Sequence, residues 1–308
     1  MRYLSVCSGI EAASVAWRDL GWSPVGFSEI EVFPSAVLQH YHPTVKNFGD
    51  MTQFEDWDLD GFDLLVGGTP CQSFSVSGLR GGLDDARGNL ALTYCRILER
   101  WRPRWLLWEN VPGVLTSNNG RDFYCLISAM AELGYGFCYR VLDAKHFGVP
   151  QNRRRVFVVG YLGDHRPAAE VLLEPESMRG LYEQVSQVPA RRTADASTDE
   201  TSSRVVHCRK VKDNCFRSDG KSSTIAARDY KSPRDLIIHD GRPRKMTPLE
   251  VERFMGFPDN YTKVAYSNYC VDNLPDKSRY KALGNSMAVP VMRWIGERIN
   301  LVNWSRTF

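Results

Sequence analysis

No two of the eight cysteines, at positions 7, 71, 95, 125, 138, 208, 215 and 270, stand three residues apart. The C-x-x-C spacing of a zinc site or a redox pair is therefore missing. His40 and His42 lie close together but have no cysteine or acid at ligand spacing, so no metal is expected. Long apolar runs are lacking too. None approaches the roughly 20 residues of a membrane span, and no signal peptide precedes Tyr3. A chain of 308 residues, 43% of them hydrophobic, needs no disulfide framework, so reduced thiols and a cytoplasmic location are expected. A strong charge of either sign is also absent. The net charge of +3 does not by itself argue for nucleic acid.

What is present is a regular alternation over the first 165 residues. Strands are expected at Tyr3–Val6, Pro24–Ser28, Leu64–Val66, Trp105–Trp108, Phe137–Leu142 and Val156–Tyr161. Helical spacing falls between them at Glu11–Leu20, Val32–Tyr41, Leu90–Trp101 and Phe123–Leu133. That alternation predicts an α/β fold with a doubly wound, mostly parallel sheet. After Gly163 the pattern changes. Residues 189–203 are polar and small, with no aromatic residue, and read as a loop. Residues 204–245 hold twelve Lys or Arg against five Asp, a net +7 inside a chain of +3. This local excess marks a candidate phosphate-contacting surface. Thr247-Pro248-Leu249-Glu250 has the form of a capping box opening a helix to about Met255, and a last helix is expected from about Ser286 to Asn300.

The chemistry-bearing residues cluster where these strands end. Cys71 lies between Pro70 and Gln72, just past the Leu64 strand, and Glu109 follows the Trp105 strand. Open parallel sheets place ligand sites at strand C-terminal ends. A thiolate beside a carboxylic acid suits addition to an electron-poor heteroaromatic ring, the acid serving a ring nitrogen. The turn Val6-Cys7-Ser8-Gly9-Ile10-Glu11 offers a glycine at a strand-to-helix junction. Glu29 follows the second strand at the spacing of a ribose-binding acid, and Asp50 comes later. Together they suggest an adenosine cofactor. In the extended run Gln151-Asn152-Arg153-Arg154-Arg155, Arg153 and Arg155 share one face and Arg154 takes the other.

Across essentially its whole length the chain resembles the cytosine-5 DNA methyltransferases. The resemblance rests on an ordered set: Ser8-Gly9, Glu29, Gly49-Asp50, Pro70-Cys71-Gln72-Ser73-Phe74-Ser75, Glu109-Asn110-Val111, Gln151-x-Arg153-x-Arg155, Arg244–Pro248 with Met255–Pro258, and Gly284-Asn285-Ser286. It implies a Rossmann-like, S-adenosylmethionine-dependent catalytic domain (1–170 plus 272–308) and a small, mostly irregular or β target recognition domain (171–271). Cys71 would attack carbon 6 of a flipped cytosine, and Glu109 would contact ring nitrogen 3 and the exocyclic amine. Arg153 and Arg155 would stabilise the intermediate and orient cysteine and base. For S-adenosylmethionine the matching positions are Ser8, Gly9, Glu29, Asp50, Met51, Pro70, Leu90, Asn285 and Ser286. For DNA they are Gln72 and Ser75 beside the cysteine, with Thr224 and Ile225; the charge of the basic segment adds Arg209, Lys210 and Arg228 as candidate contacts. Thr224-Ile225 resembles the Thr-Leu pair with which the family supports the flipped nucleotide, and residues 78–88 resemble its mobile catalytic loop.

Two departures from the pattern stand out. Cys7 holds the place of an aromatic residue and Glu11 that of a second glycine, a variant similar to phage- and prophage-borne members. Cys215-Phe216 resembles the Cys-Phe-Thr element of the tRNA-methylating branch, with Arg217 where threonine would stand. The expected partner is double-stranded DNA, read by a monomer without membrane or metal. A tRNA-methylating enzyme and a catalytically inactive DNA-binding homologue remain the alternatives. The target sequence and the existence of a cognate restriction endonuclease are not written in these motifs.

Overall fold

The computed structural model describes residues 1–70, 90–173, 206–212, 215–217, 223–231, 235–239 and 242–305. Its main sheet has six strands: β1 (Arg2–Val6), β2 (Ser23–Ser28), β3 (Leu64–Gly67), β4 (Trp105–Asn110), β5 (Tyr135–Asp143) and β6 (Arg154–Leu162). They lie in the order β2-β1-β3-β4-β6-β5. The first three pairings are parallel, whereas β6 runs antiparallel to both β4 and β5. The antiparallel end has a simple cause. Only residues 144–153 separate β5 from β6, and a parallel crossover needs about a dozen or more.

The central strands are apolar on both faces, as buried parallel strands are. In β4, Trp105 and Leu107 enter one core while Leu106 and Trp108 enter the other. In β3, Leu64 and Val66 face the first core and Leu65 the second. Helices α3 (Leu90–Trp101) and α4 (Arg121–Glu132) cover the second face. The first is covered by α1 (Ala12–Trp17), α2 (Val32–Tyr41) and α5 (Arg166–Leu172), and by α6 (Pro248–Met255) and α8 (Val289–Ser305). Gly296 of α8 lets the helix approach α1 closely, since a Cβ there would stand 2.3 Å from Trp17 Nε1. That indole N–H donates to Met292 O at 2.8 Å.

Two expectations need correction. The last helix does not start at Ser286: α7 (Asp276–Asn285) ends there, and α8 begins at Val289 after a break. Helix α7 is polar along most of its length and buries Tyr280, Ala282, Leu283 and Gly284, too short an apolar face to stand out in sequence. Glu11 does not open the first helix but caps it, with left-handed φ and ψ of 61° and 62°. Helix α5 follows Gly163, and its Val171 and Leu172 share the first core with Val251, Phe254 and Tyr261.

A second, antiparallel sheet is built from β7 (Val206–Lys212), β8 (Cys215–Arg217), β9 (Asp235–His239) and β10 (Arg242–Arg244), ordered β10-β9-β7-β8. The capping box forms: Thr247 Oγ1 accepts from Glu250 N at 3.3 Å and Glu250 Oε2 accepts from Thr247 N at 2.7 Å.

Candidate active site

The turn after β1 is wound tightly. Cys7, Gly9 and Glu11 all have positive φ, at 49°, 56° and 61°. This coil turns the Gly9 N–H onto Glu29 Oε2 at 2.8 Å, while Glu29 Oε1 accepts from Glu31 N at 2.7 Å. Asn47 fixes the neighbourhood. Its Oδ1 accepts from Glu29 N (3.0 Å) and Gly49 N (3.2 Å), and its Nδ2 donates to Glu29 O (3.0 Å). Asp50 caps the following turn by accepting from Thr52 N at 2.9 Å. Cys7 lies 3.5 Å from the Met51 sulfur. Burial first, then Glu29 and Asp50, push its thiol up to about 12, so it stays a neutral, inert group.

The ends of β3 and β4 are tied together. Asn110 Nδ2 donates to Thr69 O at 2.8 Å, and Trp108 Nε1 to Thr69 Oγ1 at 3.0 Å. Pro70 is thereby held beside Glu109. Cys71, Gln72 and Ser75, and the 78–88 stretch, lie outside the described residues. The Glu109 carboxylate meets Arg155 Nε at 3.1 Å. Burial raises the Glu109 carboxyl above its ordinary range, and Arg155 and Arg153 oppose that rise. Arg154 is exposed, whereas Arg153 and Arg155 turn inward.

Arg153 does more bracing than the sequence suggests. It donates to Ile225 O (3.1 Å), Gly284 O (3.1 Å) and Ser286 O (2.5 Å), joining β6, the segment 223–231 and the α7–α8 joint. Gln151, fully buried, accepts from Ile225 N at 3.1 Å and donates to Phe254 O at 3.0 Å. Thr224 Oγ1 donates to Asn152 O. Ile225 is therefore gripped at both its N–H and its carbonyl.

These elements surround a cleft. Gly9, Glu29, Asp50, Met51 and Leu90 line it, together with Pro70, Glu109, Arg153, Arg155 and Asn285. Ser8 and Ser286 instead line an adjoining recess, which also holds Glu11 and Glu109. Thr224 and Ile225 stay out of both and face a separate hollow with Asp235, Lys245 and Tyr280. Arg228 is exposed on the turn that follows. Arg209 and Lys210 fall on β7, opposite Arg217 and Phe216 of β8. His42 packs on Phe27 and His40 on Tyr41, and among the described residues no group of three or more His, Cys, Asp or Glu could hold a metal ion.

The sequence profile of the C-5 cytosine-specific DNA methylases matches residues 1–203 and 180–301. This chain belongs to that family. As a DNA methyltransferase it is similar to a protein of Escherichia phage P1 named DNA N-6-adenine-methyltransferase, with 32% identity over 463 residues. That alignment takes in 96% of this chain, which spans only 61% of the phage protein. The type II methyltransferase M.SsoII of Shigella sonnei is 32% identical, covering 84% of this chain and 70% of its own length. M.NlaX of Neisseria lactamica is also 32% identical, over 88% and 87%. Among solved structures, S. pombe Dnmt2 superposes with a TM-score of 0.64 at 17% identity, covering all of both chains. Entamoeba histolytica EhMeth gives 0.65 at 16%, over 97% of each. At such identities the likeness is one of fold.

Two residues of this site carry little sequence signal of their own. Ile30, 72% exposed, follows Glu29 on the cleft wall and offers it an apolar face. Being a large hydrophobe right after a candidate ribose acid was its only clue. Asn47 positions Glu29 and Gly49 from behind, and nothing in the local sequence sets it apart from a loop asparagine.

Proposed function

We propose that the chain transfers a methyl group from S-adenosylmethionine to carbon 5 of a cytosine flipped out of duplex DNA. One observation carries this reading: Glu29 and Asp50, fit for an adenosine, open on the same cleft as Pro70, Glu109 and Arg155, fit for a heteroaromatic base. Glu29, Asp50, Met51 and Ile30 would hold the cofactor's nucleoside, near Gly9, and Asn285 would close the cleft from α7. When bound, the cofactor supplies an electrophilic methyl group.

The chain's own residues do the rest. The Cys71 thiolate adds to carbon 6, and the electrons of the 5,6 double bond move onto carbon 5 while Glu109 serves ring nitrogen 3. Once carbon 5 is methylated, loss of its proton restores the double bond and expels Cys71 as thiolate. Raised by burial, the Glu109 carboxyl is suited to sharing a proton with a ring nitrogen. Arg155 fixes its orientation, and Arg153, anchored on three carbonyls, keeps Arg155 and the cofactor joint in register. Flipping is required because the ring faces are otherwise stacked. Target recognition is assigned to residues 171–271, with the antiparallel sheet as its frame.

The test is a duplex bearing 5-fluorocytosine at the target, where proton loss is blocked and the covalent adduct persists. The wild type should form an adduct stable to denaturing gels, and Cys71→Ala should bind the duplex without forming one. Bisulfite sequencing of DNA from expressing cells should show a defined methylated motif. An adduct that persists in Cys71→Ala would end the assignment, and methyl transfer to tRNA in preference to duplex DNA would replace it with the RNA reading.

A further inference from the structure

The recess beside the cleft carries a feature that capping and packing do not account for. It shares Cys7, Gly9, Gly68, Glu109 and Asn285 with the main cleft, so the two are continuous. Gly9, whose N–H meets Glu29, lines both spaces. The amino-acid tail of a cofactor whose ribose Glu29 held would have the recess to enter.

The charged residues lining the recess are Glu11 and Glu109, both acidic. Glu109 is matched by Arg155 at 3.1 Å. Glu11 is not matched by a cation: among the described residues it makes no ion pair and is held by Ser5 Oγ (2.7 Å), Ser14 N (3.2 Å) and Ser14 Oγ (3.3 Å). It is 1% exposed. An ionised carboxylate can accept about four hydrogen bonds, and three are made. Capping does not ask for this residue either. Ser, Thr, Asp and Asn are the usual caps, and a left-handed backbone at a non-glycine residue costs of order 1 kcal/mol or more. Burial raises its carboxyl to about 7, and a cation beside it would favour the ionised form.

We propose that Glu11 is a specificity residue for the methyl donor, its carboxylate taking the α-ammonium group of the S-adenosylmethionine tail. This rests on the reading that S-adenosylmethionine occupies the cleft. It makes the glutamate a recognition group for a zwitterionic tail, in a position where glycine would offer only backbone.

Calorimetry with S-adenosylhomocysteine and with its deamino analogue, which keeps the carboxylate but lacks the ammonium, tests the proposal on the full chain. Glu11→Gln should weaken S-adenosylhomocysteine by roughly tenfold to a hundredfold. It should change the deamino analogue by less than about twofold. Glu11→Gly, which suits the positive φ, should behave the same way and guards against a folding defect in the first variant. Equal losses for both nucleosides would make Glu11 a structural cap, and no loss for either would remove it from the site; each outcome overturns the proposal while sparing the cofactor reading. A wild-type chain that binds neither nucleoside would sink both.

Discussion

Glu29 already accepts two backbone N–H groups, so its carboxylate is held rigidly at the cleft wall before any ligand arrives. Removing a charged hydrogen bond to the ribose should cost S-adenosylmethionine roughly 1.5–3 kcal/mol of affinity in Glu29→Ala. Unchanged binding by calorimetry would take Glu29 out of the site. Glu11 makes a different prediction, one about pH. Burial outweighs the bonds from Ser5 and Ser14 and raises its carboxyl from 4.5 to about 7. Tyr3 from β1 and Tyr261 from the loop after α6 face it, and both stay neutral over this range because burial raises them further. Between pH 4.5 and 7 the folded chain therefore holds a proton that the unfolded chain has released. Its contribution to stability is full below the lower value and falls away as pH rises through the upper one, by up to about 3 kcal/mol. Glu11→Gln should flatten this slope in urea titrations between about pH 4.5 and 7. Parallel wild-type and variant slopes would mean that Glu11 titrates normally.

Among the elements, the α1–α8 crossing is the most tightly specified. An alanine at a helical glycine ordinarily gains about 1 kcal/mol. At Gly296 the added carbon would meet the fully buried Trp17 ring, so Gly296→Ala should instead lose about 1–3 kcal/mol. A stabilised variant in denaturant melts would contradict the close approach. The same elements show what the sequence could and could not reveal. Strands β1 to β4 were legible because their residues are apolar on both faces, and Glu29 and Glu109 because they stand where such strands end. The reversal of β6 was hidden in the length of the segment before it, not in its composition. Helix α7 escaped notice because it buries few side chains. The recess holding Glu11 could not be read at all, since it forms between residues near position 10 and others near 285 that meet only in the folded chain. Glu11 registered there as a departure from a pattern, without a surrounding to explain it.

At the scale of the whole molecule, positive charge is concentrated in residues 204–245, which supply the antiparallel sheet and the turn at Arg228. Replacing Arg209, Lys210 and Lys212 with alanine should reduce the salt dependence of DNA binding, by about 0.9 in the log–log slope for each phosphate left unneutralised. The methylated motif should stay the same, because phosphate contacts position a protein and base contacts specify. Substitutions from Arg228 to Lys231, on the turn beside the Thr224-Ile225 pair, are the ones expected to alter it. Identical slopes and identical motifs in both sets would place DNA recognition elsewhere. Among the described residues no helix is long and apolar enough to cross a membrane.

The bond from the Trp17 indole to Met292 joins residues 275 positions apart. A ribosome adding 5–20 residues per second takes roughly 15–55 s to cover that distance. For that interval the nascent chain carries a first helix whose tryptophan has Tyr3 and Trp22 beside it but lacks α8, and the α7–α8 joint at Asn285-Ser286 does not exist. The cleft, whose lining includes Asn285, is therefore complete only once α7 and α8 have been made.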